Sequence, residues 1–489
     1  MSSVPNIQNN LDIKGQHYIN GKWVEAETAN LFEVRSPIDW SEPIAYMARG
    51  GAPDIDLAVE AAYKAFPLWS NMRAKERGQY LRRLAELIEE NVERIARAES
   101  IDVGMLERSL KARLVFRGAA NYRFYADLAE SYEEREWNSN GTQNRVIRMP
   151  AGPTAIITPW NAPFMLSTWK TSPALAAGCT VVLKPPEWAP LTCAILADLV
   201  DKAGFPAGVF NVVHGIGEEA GAALVRNPKI RRIGFTGSPE TGRLIAHAGA
   251  ENLVPLTAEL GGKSPLIVFD DSDLEAAAQK AANQYDDAGQ VCLAGTRLLV
   301  QKSIFEPFLE MFHRYTDAHI LGDPRDNETT IAPLIHPDHL ERVEGFVKRA
   351  EQNGDHVIRG GKRAKIGGLW YEPTLIVPKC NDSEVIQKEV FGPVLTIQTF
   401  ESEEEAITLA NSTRYGLAAI LYTSSAERAN RVGRAVRAGT VWSNCFLVRD
   451  LSAPFGGTGI SGLGREGGDY ALDFYSDLKT LQVKEGTTK

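Results

Sequence analysis

Residues 232–242 read Arg-Ile-Gly-Phe-Thr-Gly-Ser-Pro-Glu-Thr-Gly, and this stretch contains the features that decide the fold. Arg232–Thr236 has the pattern of a short apolar β-strand, and Gly237 begins a turn that leads into a helix. The backbone N–H groups at the start of a helix, together with the Ser238 hydroxyl, suit a pyrophosphate. The stretch therefore predicts a strand, a phosphate-binding turn and a helix in succession.

The same succession of strand, glycine or proline turn and helix recurs along the chain. Further short apolar strands are predicted at residues 155–157, 180–184, 209–213, 264–269, 297–300 and 439–443. Short apolar strands separated by helices are typical of a parallel, doubly wound α/β sheet. The sequence predicts two α/β units of similar size, with insertions.

The N-terminal part of the chain has a different pattern. Residues 18–24 place aromatic and β-branched side chains around an Asn-Gly pair, which predicts a β-hairpin. Apolar residues at three-and-four spacing then predict helices over about 53–100 and 108–131. The polar segment 133–144 follows as a candidate boundary between structural units.

Composition and charge exclude several classes of protein. The 489 residues suffice for two to four domains with a large core. The hydrophobic fraction of 44% is too high for a disordered chain. The 53 basic and 62 acidic residues give a net charge of −9, and a surface this negative disfavours a nucleic-acid partner.

Cysteine and histidine usage indicates a reducing compartment and no metal. The five cysteines are scattered, without a Cys-x-x-Cys pair, which argues against disulfides and thiolate zinc sites: Cys179, Cys193, Cys292, Cys380 and Cys445. His336 and His339 flank Pro337 in what we expect to be a loop rather than a ligand-bearing helix. Residues 1–6 lack the features of a signal peptide, and no apolar run approaches the ~20 residues that span a bilayer. We therefore predict a cytoplasmic protein without a membrane partner.

Ligands of doubly wound sheets bind where strands end, so the residues at the predicted strand ends are candidates. Lys184 ends a strand and Glu187 follows three residues later, an arrangement that suits ribose hydroxyls or, equally, a solvated strand end. Residues 215–221, which include Gly217 and Gly221, look like a dinucleotide fingerprint. Their last gap is three residues rather than two, so an ordinary glycine turn explains them as well.

Two further residues have the chemistry of a catalytic site. Cys292 is a nucleophile only if its pKa is lowered or a base lies nearby, and otherwise a cysteine is a small buried hydrophobe. No histidine is near it in the sequence, so a cysteine hydrolase has no local support. Glu259 precedes two glycines, which fits a strand end approached closely by backbone and ligand, or a simple turn.

Seven short motifs occur together and in a fixed order. They are residues 158–161 (Thr-Pro-Trp-Asn), 184–187 (Lys-Pro-Pro-Glu), 235–238 (Phe-Thr-Gly-Ser), 259–263 (Glu-Leu-Gly-Gly-Lys), 289–292 (Gly-Gln-Val-Cys), 389–393 (Glu-Val-Phe-Gly-Pro) and 454–457 (Pro-Phe-Gly-Gly). The set resembles the NAD(P)-dependent aldehyde dehydrogenase superfamily. The resemblance covers almost the whole chain, from residues 20–23 to residues 464–466.

The resemblance implies an aldehyde dehydrogenase-like fold: two doubly wound α/β domains and a β oligomerisation hairpin. The nucleotide-binding domain is expected over residues 1–130 and 148–258, and the catalytic domain over 259–451. Residues 131–147 and 471–489 are expected to form the oligomerisation elements of a homodimer or homotetramer. Through residues 452–470 the chain is expected to return to the nucleotide-binding domain.

The resemblance also implies roles for individual residues. Cys292 matches the nucleophile, Glu259 the general base, and Asn161 the side chain that binds the oxyanion together with the Cys292 N–H. NAD is the expected cofactor, with NADP as an alternative. Its expected contacts are Trp160, Lys184, Glu187, Gly217, Gly221, Phe235, Gly237, Ser238, Glu389 and Phe391. Because Glu259 is present, the resemblance implies hydrolysis of the acyl enzyme to a free acid.

Two segments narrow the expected substrate. Residues 116–126 and 444–451 are similar to the branch that oxidises muconic semialdehydes, in which Arg117 and Arg449 would hold the substrate carboxylate. A planar guanidinium suits a carboxylate because it binds in a bidentate way. Each arginine could instead form an internal ion pair, and Ser452 replaces an arginine found in several members of that branch. The alternatives are a broad-specificity aldehyde dehydrogenase and a non-catalytic descendant, the latter disfavoured by Cys292, Glu259 and Asn161.

Overall fold

A computed structural model describes residues 13–484 of the chain. The N-terminal segment from which we predict the absence of a signal peptide lies outside the described residues. The outermost parts of two predicted domain ranges, residues 1–12 and 485–489, also lie outside them.

The described residues form strands and helices in alternation over most of their length. The strands are β1 (His17–Ile19), β2 (Lys22–Val24), β3 (Leu31–Arg35), β4 (Pro43–Ala48), β5 (Arg135–Ser139), β6 (Thr142–Pro150), β7 (Thr154–Ile157), β8 (Val181–Lys184), β9 (Phe210–Val212), β10 (Arg232–Thr236), β11 (Leu256–Glu259), β12 (Pro265–Val268), β13 (Arg297–Gln301), β14 (His356–Arg359), β15 (Thr374–Val377), β16 (Val394–Phe400), β17 (Ala418–Tyr422), β18 (Thr440–Ser443), β19 (Gly462–Leu463) and β20 (Ser476–Lys484). The helices are α1 (Ala52–Asn71), α2 (Ala74–Glu90), α3 (Val92–Val103), α4 (Glu107–Ser109), α5 (Val115–Glu130), α6 (Pro163–Ala177), α7 (Leu191–Lys202), α8 (Ala222–Arg226), α9 (Pro239–Ala250), α10 (Leu274–Ala282), α11 (Phe305–Asp317), α12 (Pro337–Gln352), α13 (Glu384–Gln387), α14 (Glu403–Ala410), α15 (Ala426–Ala435) and α16 (Gly468–Phe474).

Two large sheets confirm the predicted α/β fold. The first has eight strands in the order β19-β11-β10-β7-β8-β9-β1-β2, and its five central strands run parallel. The predicted hairpin β1–β2 and the short β19 add antiparallel strands at its two edges. The second sheet has the order β14-β15-β16-β13-β12-β17-β18 and is parallel except for β14.

A third, smaller sheet brings distant parts of the chain together. Strand β20 pairs along all nine of its residues with β6, and β6 also pairs with β5. The polar segment 133–144 therefore forms β5 and the start of β6, which lie between α5 and the first parallel strand of the large sheet. All five residues of β5 are exposed.

Helix α2 shows how the helical pattern places side chains. Leu81, Leu84 and Ile88 follow the three-and-four spacing and are fully buried. On the opposite face, Arg82 forms ion pairs with Asp127 and Glu130 of α5. The apolar stripe of α2 thus joins the core of the first sheet, while its charged face joins α5.

The predicted loop around Pro337 is wrong, because helix α12 begins there. Proline has a fixed φ and no N–H group, so it suits the first helical position. The Nδ1 atom of His336 accepts a hydrogen bond from the Asp338 N–H at 3.2 Å and caps the helix. His339 therefore lies in the first turn of α12.

Candidate active site

The candidate residues lie at strand ends of the first large sheet and in segments next to the second, and contacts such as that of Asn161 with Gln290 join the two groups. Strands β7, β8, β10 and β11 are parallel, so Asn161, Lys184, Ser238 and Glu259 follow or end neighbouring strands at one edge of the first sheet. Cys292 belongs to the segment 290–296 that leads into β13 of the second sheet. The fold thus brings together residues that are more than 100 positions apart in the sequence.

Cys292 is half-buried and close to several charged groups. Burial, together with the nearby carboxylates of Glu389 and Glu259, raises the pKa of its thiol to about 12. The guanidinium of Arg449 acts in the opposite direction. The thiol is therefore protonated at neutral pH, and its use as a nucleophile requires removal of that proton.

Glu259 ends β11 and is 6% exposed. Neither of its carboxylate oxygens has a hydrogen-bond partner within residues 13–484. Burial raises the pKa of this carboxyl well above its ordinary value, and the nearby Glu466 raises it further. An unpartnered carboxylate with a raised pKa binds a proton more strongly than an ordinary carboxylate does, which suits a general base.

The two glycines after Glu259 make room for the neighbouring groups. A Cβ atom at Gly261 would lie 2.0 Å from Glu389 Oε2, and one at Gly262 would lie 2.5 Å from the backbone oxygen of Cys292. The Gly262 N–H donates to Glu389 Oε1 at 2.8 Å. Glycine at both positions therefore lets this strand end contact both Glu389 and the Cys292 backbone.

Asn161 lies next to the segment that carries Cys292. Its Nδ2 atom donates a hydrogen bond of 3.0 Å to the backbone oxygen of Gln290, two residues before the cysteine. A side-chain amide carries two N–H groups, so a second donor remains for a ligand. This contact connects the loop after β7 of the first sheet to the cysteine segment of the second.

An aromatic group lies beside Glu389. The Trp160 ring lies 5.3 Å from the rings of both Phe391 and His339, and His339 Nε2 is 2.7 Å from the Phe391 oxygen. Phe391 has a φ of 58°, which is rare for a residue with a side chain. Burial raises the pKa of Glu389 to about 7. The predicted contacts Trp160, Glu389 and Phe391 therefore occur together, and His339 is an addition that the sequence did not reveal.

Lys184 and Glu187 form an ion pair with each other. Lys184 Nζ lies 2.6 Å from Glu187 Oε2, and the two side chains are 3% and 35% exposed. Burial raises the pKa of Glu187, but the Lys184 ammonium outweighs it and the net shift is downward. Gly217 lies beside this pair, since its Cβ atom would be 3.7 Å from Glu187 Oε1.

Ser238 caps helix α9, as the strand-turn-helix stretch predicts. Its Oγ atom accepts a hydrogen bond from the Thr241 N–H at 3.1 Å. The preceding Gly237 packs against the Phe235 ring, which a Cβ atom there would approach to 2.4 Å. A Cβ atom at Gly221 would meet no atom within 4 Å, so this position is open to a ligand.

Arg117 and Arg449 lie side by side over one aromatic ring. Their guanidinium carbons are 5.9 and 5.0 Å from the centre of the Trp169 ring, and that of Arg449 is 3.7 Å from the Phe455 ring. Within residues 13–484 neither forms an ion pair with a carboxylate. Burial and, to a smaller extent, the neighbouring Arg449 lower the pKa of Arg117 to about 10.

The structure adds a buried ion pair that sequence reasoning missed. Lys170 Nζ lies 2.5 Å from Glu466 Oε1, and the other Glu466 oxygen accepts a hydrogen bond from Trp169 Nε1. Lys170 is fully buried in α6, although in the sequence it has the appearance of an ordinary polar residue of a helix. Glu466 lies within the last resembling motif, but nothing in its spacing indicates that it lies near Glu259.

The described part of the chain contains neither a metal-binding cluster nor a membrane-spanning helix. Within residues 13–484, no three His, Cys, Asp or Glu side chains are grouped so as to hold a metal ion. Over the same range we find no helix with the length and apolar character that crossing a membrane requires.

Comparison with protein families shows which family the chain belongs to. The family model described as "Aldehyde dehydrogenase family" matches residues 23–481. The chain belongs to the aldehyde dehydrogenase family. The resemblance carried by the seven motifs is thereby confirmed.

Among curated proteins, this aldehyde dehydrogenase is similar to enzymes named for muconic semialdehydes. It is 39% identical to 2-hydroxymuconic semialdehyde dehydrogenase of Pseudomonas sp. (strain CF600), over 96% of this chain and 99% of that protein. It is 38% identical to 2-aminomuconic semialdehyde dehydrogenase of Mus musculus, over 96% of this chain and 98% of that protein.

A solved structure shows the same fold. Betaine aldehyde dehydrogenase from Staphylococcus aureus, solved in complex with NAD+, superimposes with a TM-score of 0.96 at 35% identity. The match covers 99% of this aldehyde dehydrogenase and 98% of that chain.

Proposed function

We propose that this enzyme oxidises a carboxylated, muconic-type semialdehyde to the corresponding carboxylic acid. Aldehyde, water and NAD+ give carboxylic acid, NADH and a proton. The NAD-dependent oxidation of an aldehyde follows from membership of the family and from its NAD-bound relatives. The choice of substrate rests on Arg117 and Arg449.

The first step forms a covalent bond at Cys292. The thiol releases its proton to solvent, Sγ attacks the aldehyde carbon, and the electron pair of the carbonyl moves to the oxygen. The free N–H of Asn161 and the Cys292 N–H are the proposed donors to this oxyanion. A preorganised donor of this kind contributes about 2.7–4 kcal/mol to transition-state stabilisation.

The second half of the reaction releases the acid. Bound NAD supplies the acceptor for the hydride that leaves the thiohemiacetal carbon. Glu259 then removes a proton from water, and the water oxygen attacks the thioester carbon. The carbon–sulfur bond breaks, and the product leaves Cys292 as a free acid.

Several residues at the strand ends have side chains that suit a bound dinucleotide. Lys184 and Glu187 are proposed to bind the adenosine ribose, Ser238 and Trp160 the pyrophosphate region, and Glu389 the nicotinamide ribose. The start of α9 offers backbone N–H groups for an anion. Glu187 would repel a 2′-phosphate and already neutralises Lys184 at 2.6 Å, so we propose a preference for NAD over NADP.

One observation carries the choice of substrate. Arg117 and Arg449 are two half-buried cations over the Trp169 ring, Arg449 is near Cys292, and within residues 13–484 neither forms an ion pair with a carboxylate. Burying a charge without a partner is unfavourable, so such a pair is expected to bind an anion during function. A substrate carboxylate placed there would lie beside the thiol that attacks its aldehyde group.

Alanine substitution of each arginine tests this proposal. Charge-assisted hydrogen bonds contribute about 1.5–3 kcal/mol each, so Arg117→Ala or Arg449→Ala should lower kcat/KM for a carboxylated semialdehyde by roughly 10- to 100-fold. Oxidation of a neutral aldehyde of similar size should change little. Steady-state formation of NADH with the two substrates measures the difference.

The matched control is Arg123→Ala, which removes an arginine of α5 that is paired with Glu89. This variant should keep the parent's ratio of kcat/KM values for the two substrates. Equal losses on both substrates in the Arg117 and Arg449 variants, with a lowered Tm, would instead indicate structural arginines. The enzyme would then be a broad-specificity aldehyde dehydrogenase.

We also propose the domain boundaries and a homo-oligomer. Residues 1–130 and 148–258 would form the nucleotide-binding domain and 259–451 the catalytic domain. The three-stranded sheet of β5, β6 and β20 would be the contact between copies, supported by the exposed apolar side chains Trp137, Met149, Leu478 and Leu481.

We also propose a reducing, cytoplasmic environment for the enzyme. All five cysteines of the chain are unpaired, which supports this proposal.

A further inference from the structure

Gln290 is a buried polar residue that the reaction described above does not use. It is 5% exposed. Its Oε1 atom accepts a hydrogen bond from the Ile335 N–H at 3.0 Å. Its Nε2 atom donates to the backbone oxygens of Asp287 and Pro333, at 3.2 and 3.4 Å. The side chain thus connects the cysteine segment to the backbone before α12.

The backbone that precedes Gln290 has an unusual conformation. Asp287, Ala288 and Gly289 have φ values of 52°, 53° and 68°, and two of these residues are not glycine. Such a conformation persists only where the surroundings hold it. The N–H and Nε2 groups of Gln290 both donate to the Asp287 oxygen, which closes this turn.

The backbone oxygen of Gln290 faces the proposed oxyanion donor. It accepts the hydrogen bond of 3.0 Å from Asn161 Nδ2. A carbonyl oxygen only accepts, so this contact requires the nitrogen side of the Asn161 amide to face Gln290. Because the amide is planar, fixing one N–H also fixes the direction of the other, which is the donor left for the substrate.

We propose that Gln290 is a positioning residue that orients Asn161 for the oxyanion. Its side chain holds the peptide whose oxygen receives one Asn161 N–H, and the second N–H then points to the thiohemiacetal oxygen. This inference rests on the proposed function, in which Asn161 is an oxyanion donor. A side-chain amide is required because the position must accept from Ile335 and donate to Asp287 and Pro333.

A double-mutant cycle tests the proposal. The variants are Gln290→Met, Asn161→Ala and the pair together, with Gln290→Glu as a second replacement that keeps the shape but loses the donor. Rapid mixing with aldehyde and NAD measures the first-turnover burst of NADH. Alkylation of Cys292 by iodoacetamide, located by peptide mass spectrometry, measures the reactivity of the thiol in a reaction without an oxyanion.

Gln290→Met should slow the burst by roughly 10- to 100-fold, since a small misplacement of a positioned group can reduce the rate by about two orders of magnitude. Alkylation of Cys292 should change by less than about twofold. The pair of substitutions should be as slow as Asn161→Ala alone to within about twofold, because residues that act as a unit are not additive. Gln290→Glu should show the same non-additivity with Asn161→Ala.

The matched control is Gln398→Met, which removes a glutamine of β16 that donates to Asn381 Oδ1. This variant should keep the parent burst. Losses that multiply in the double variant, or alkylation that slows as much as the burst, would overturn the role of Gln290. A normal burst in Asn161→Ala would overturn the oxyanion assignment itself, and with it the inference, whereas the other two outcomes leave that assignment standing.

Discussion

The reactivity of Cys292 follows from its surroundings. Burial and two neighbouring carboxylates hold the pKa of the thiol at about 12, while only the thiolate is nucleophilic. Below the pKa, each unit of pH raises the thiolate fraction about tenfold. Alkylation of Cys292 by iodoacetamide in the enzyme without ligands should therefore accelerate continuously from pH 7 to pH 10.

Quantitative mass spectrometry of the Cys292 peptide measures these rates. Cys380 is exposed, and its peptide provides an internal control for an ordinary thiol. A plateau in the Cys292 rate below pH 8 would contradict the expected pKa. It would mean that the charge of Arg449 outweighs burial.

Glu259 is expected to act only after hydride transfer, in the hydrolysis of the thioester. The Glu259→Gln variant keeps the size of the side chain but loses the base, so it should give one burst of NADH and then stall at the thioester. In the parent enzyme, deacylation should accelerate as the pH rises through the raised pKa of Glu259, because only the ionised carboxylate takes a proton from water. Stopped-flow absorbance at 340 nm separates the two phases.

Loss of the burst together with loss of NAD binding would contradict this role. Glu259 would then be a structural residue. The pH dependence gives an independent check, because the variant should lack the acceleration with pH that the parent shows.

At the scale of elements, the strand end after β11 depends on the absence of side chains. A Cβ atom at Gly262 would lie 2.5 Å from the Cys292 oxygen, which is a backbone atom and cannot rotate away. We expect Gly262→Ala to displace the cysteine segment, reducing kcat by about 10-fold or more. Overpacking of this kind also destabilises proteins by about 1–3 kcal/mol.

The control for Gly262 is Gly433→Ala in α15. A Cβ atom there meets only Val441, at an ordinary 3.7 Å, and alanine favours a helix over glycine. Steady-state kinetics and thermal unfolding of the two variants provide the comparison. Equal kcat in Gly262→Ala and the parent would show that the cysteine segment tolerates the shift.

For the whole molecule, the last strand, β20, belongs to the three-stranded sheet and not to the candidate active site. Leu478 of β20 is 62% exposed on the three-stranded sheet, although it is apolar. We propose that exposed apolar side chains of this sheet contact another copy. We expect Leu478→Lys to weaken the proposed homo-oligomer and lower its molar mass in light scattering, whereas Leu253→Lys, at an 88% exposed position after α9, should not. An unchanged mass for Leu478→Lys would place the contact elsewhere.

From the sequence alone we predict the fold class, which the structure confirms, and the main candidate site residues, which remain a prediction. The strand-and-turn pattern of residues 232–242 and its repeats predicted parallel sheets, because burial on both faces requires short apolar strands. The seven motifs predicted Cys292, Glu259 and Asn161. The sequence does not predict the start of α12, because Pro337 suits a turn as well as the first position of a helix.

Only the tertiary structure decided which charged groups have partners. Lys170 and Glu466 are 296 positions apart and meet in the core, whereas Arg117 and Arg449 meet over Trp169 without a carboxylate. Sequence spacing predicts neighbours within one helix or strand, since those distances follow from local geometry. Contacts between elements, and the pKa shifts that burial causes, depend on how distant elements pack against each other. No local pattern in the sequence specifies that packing.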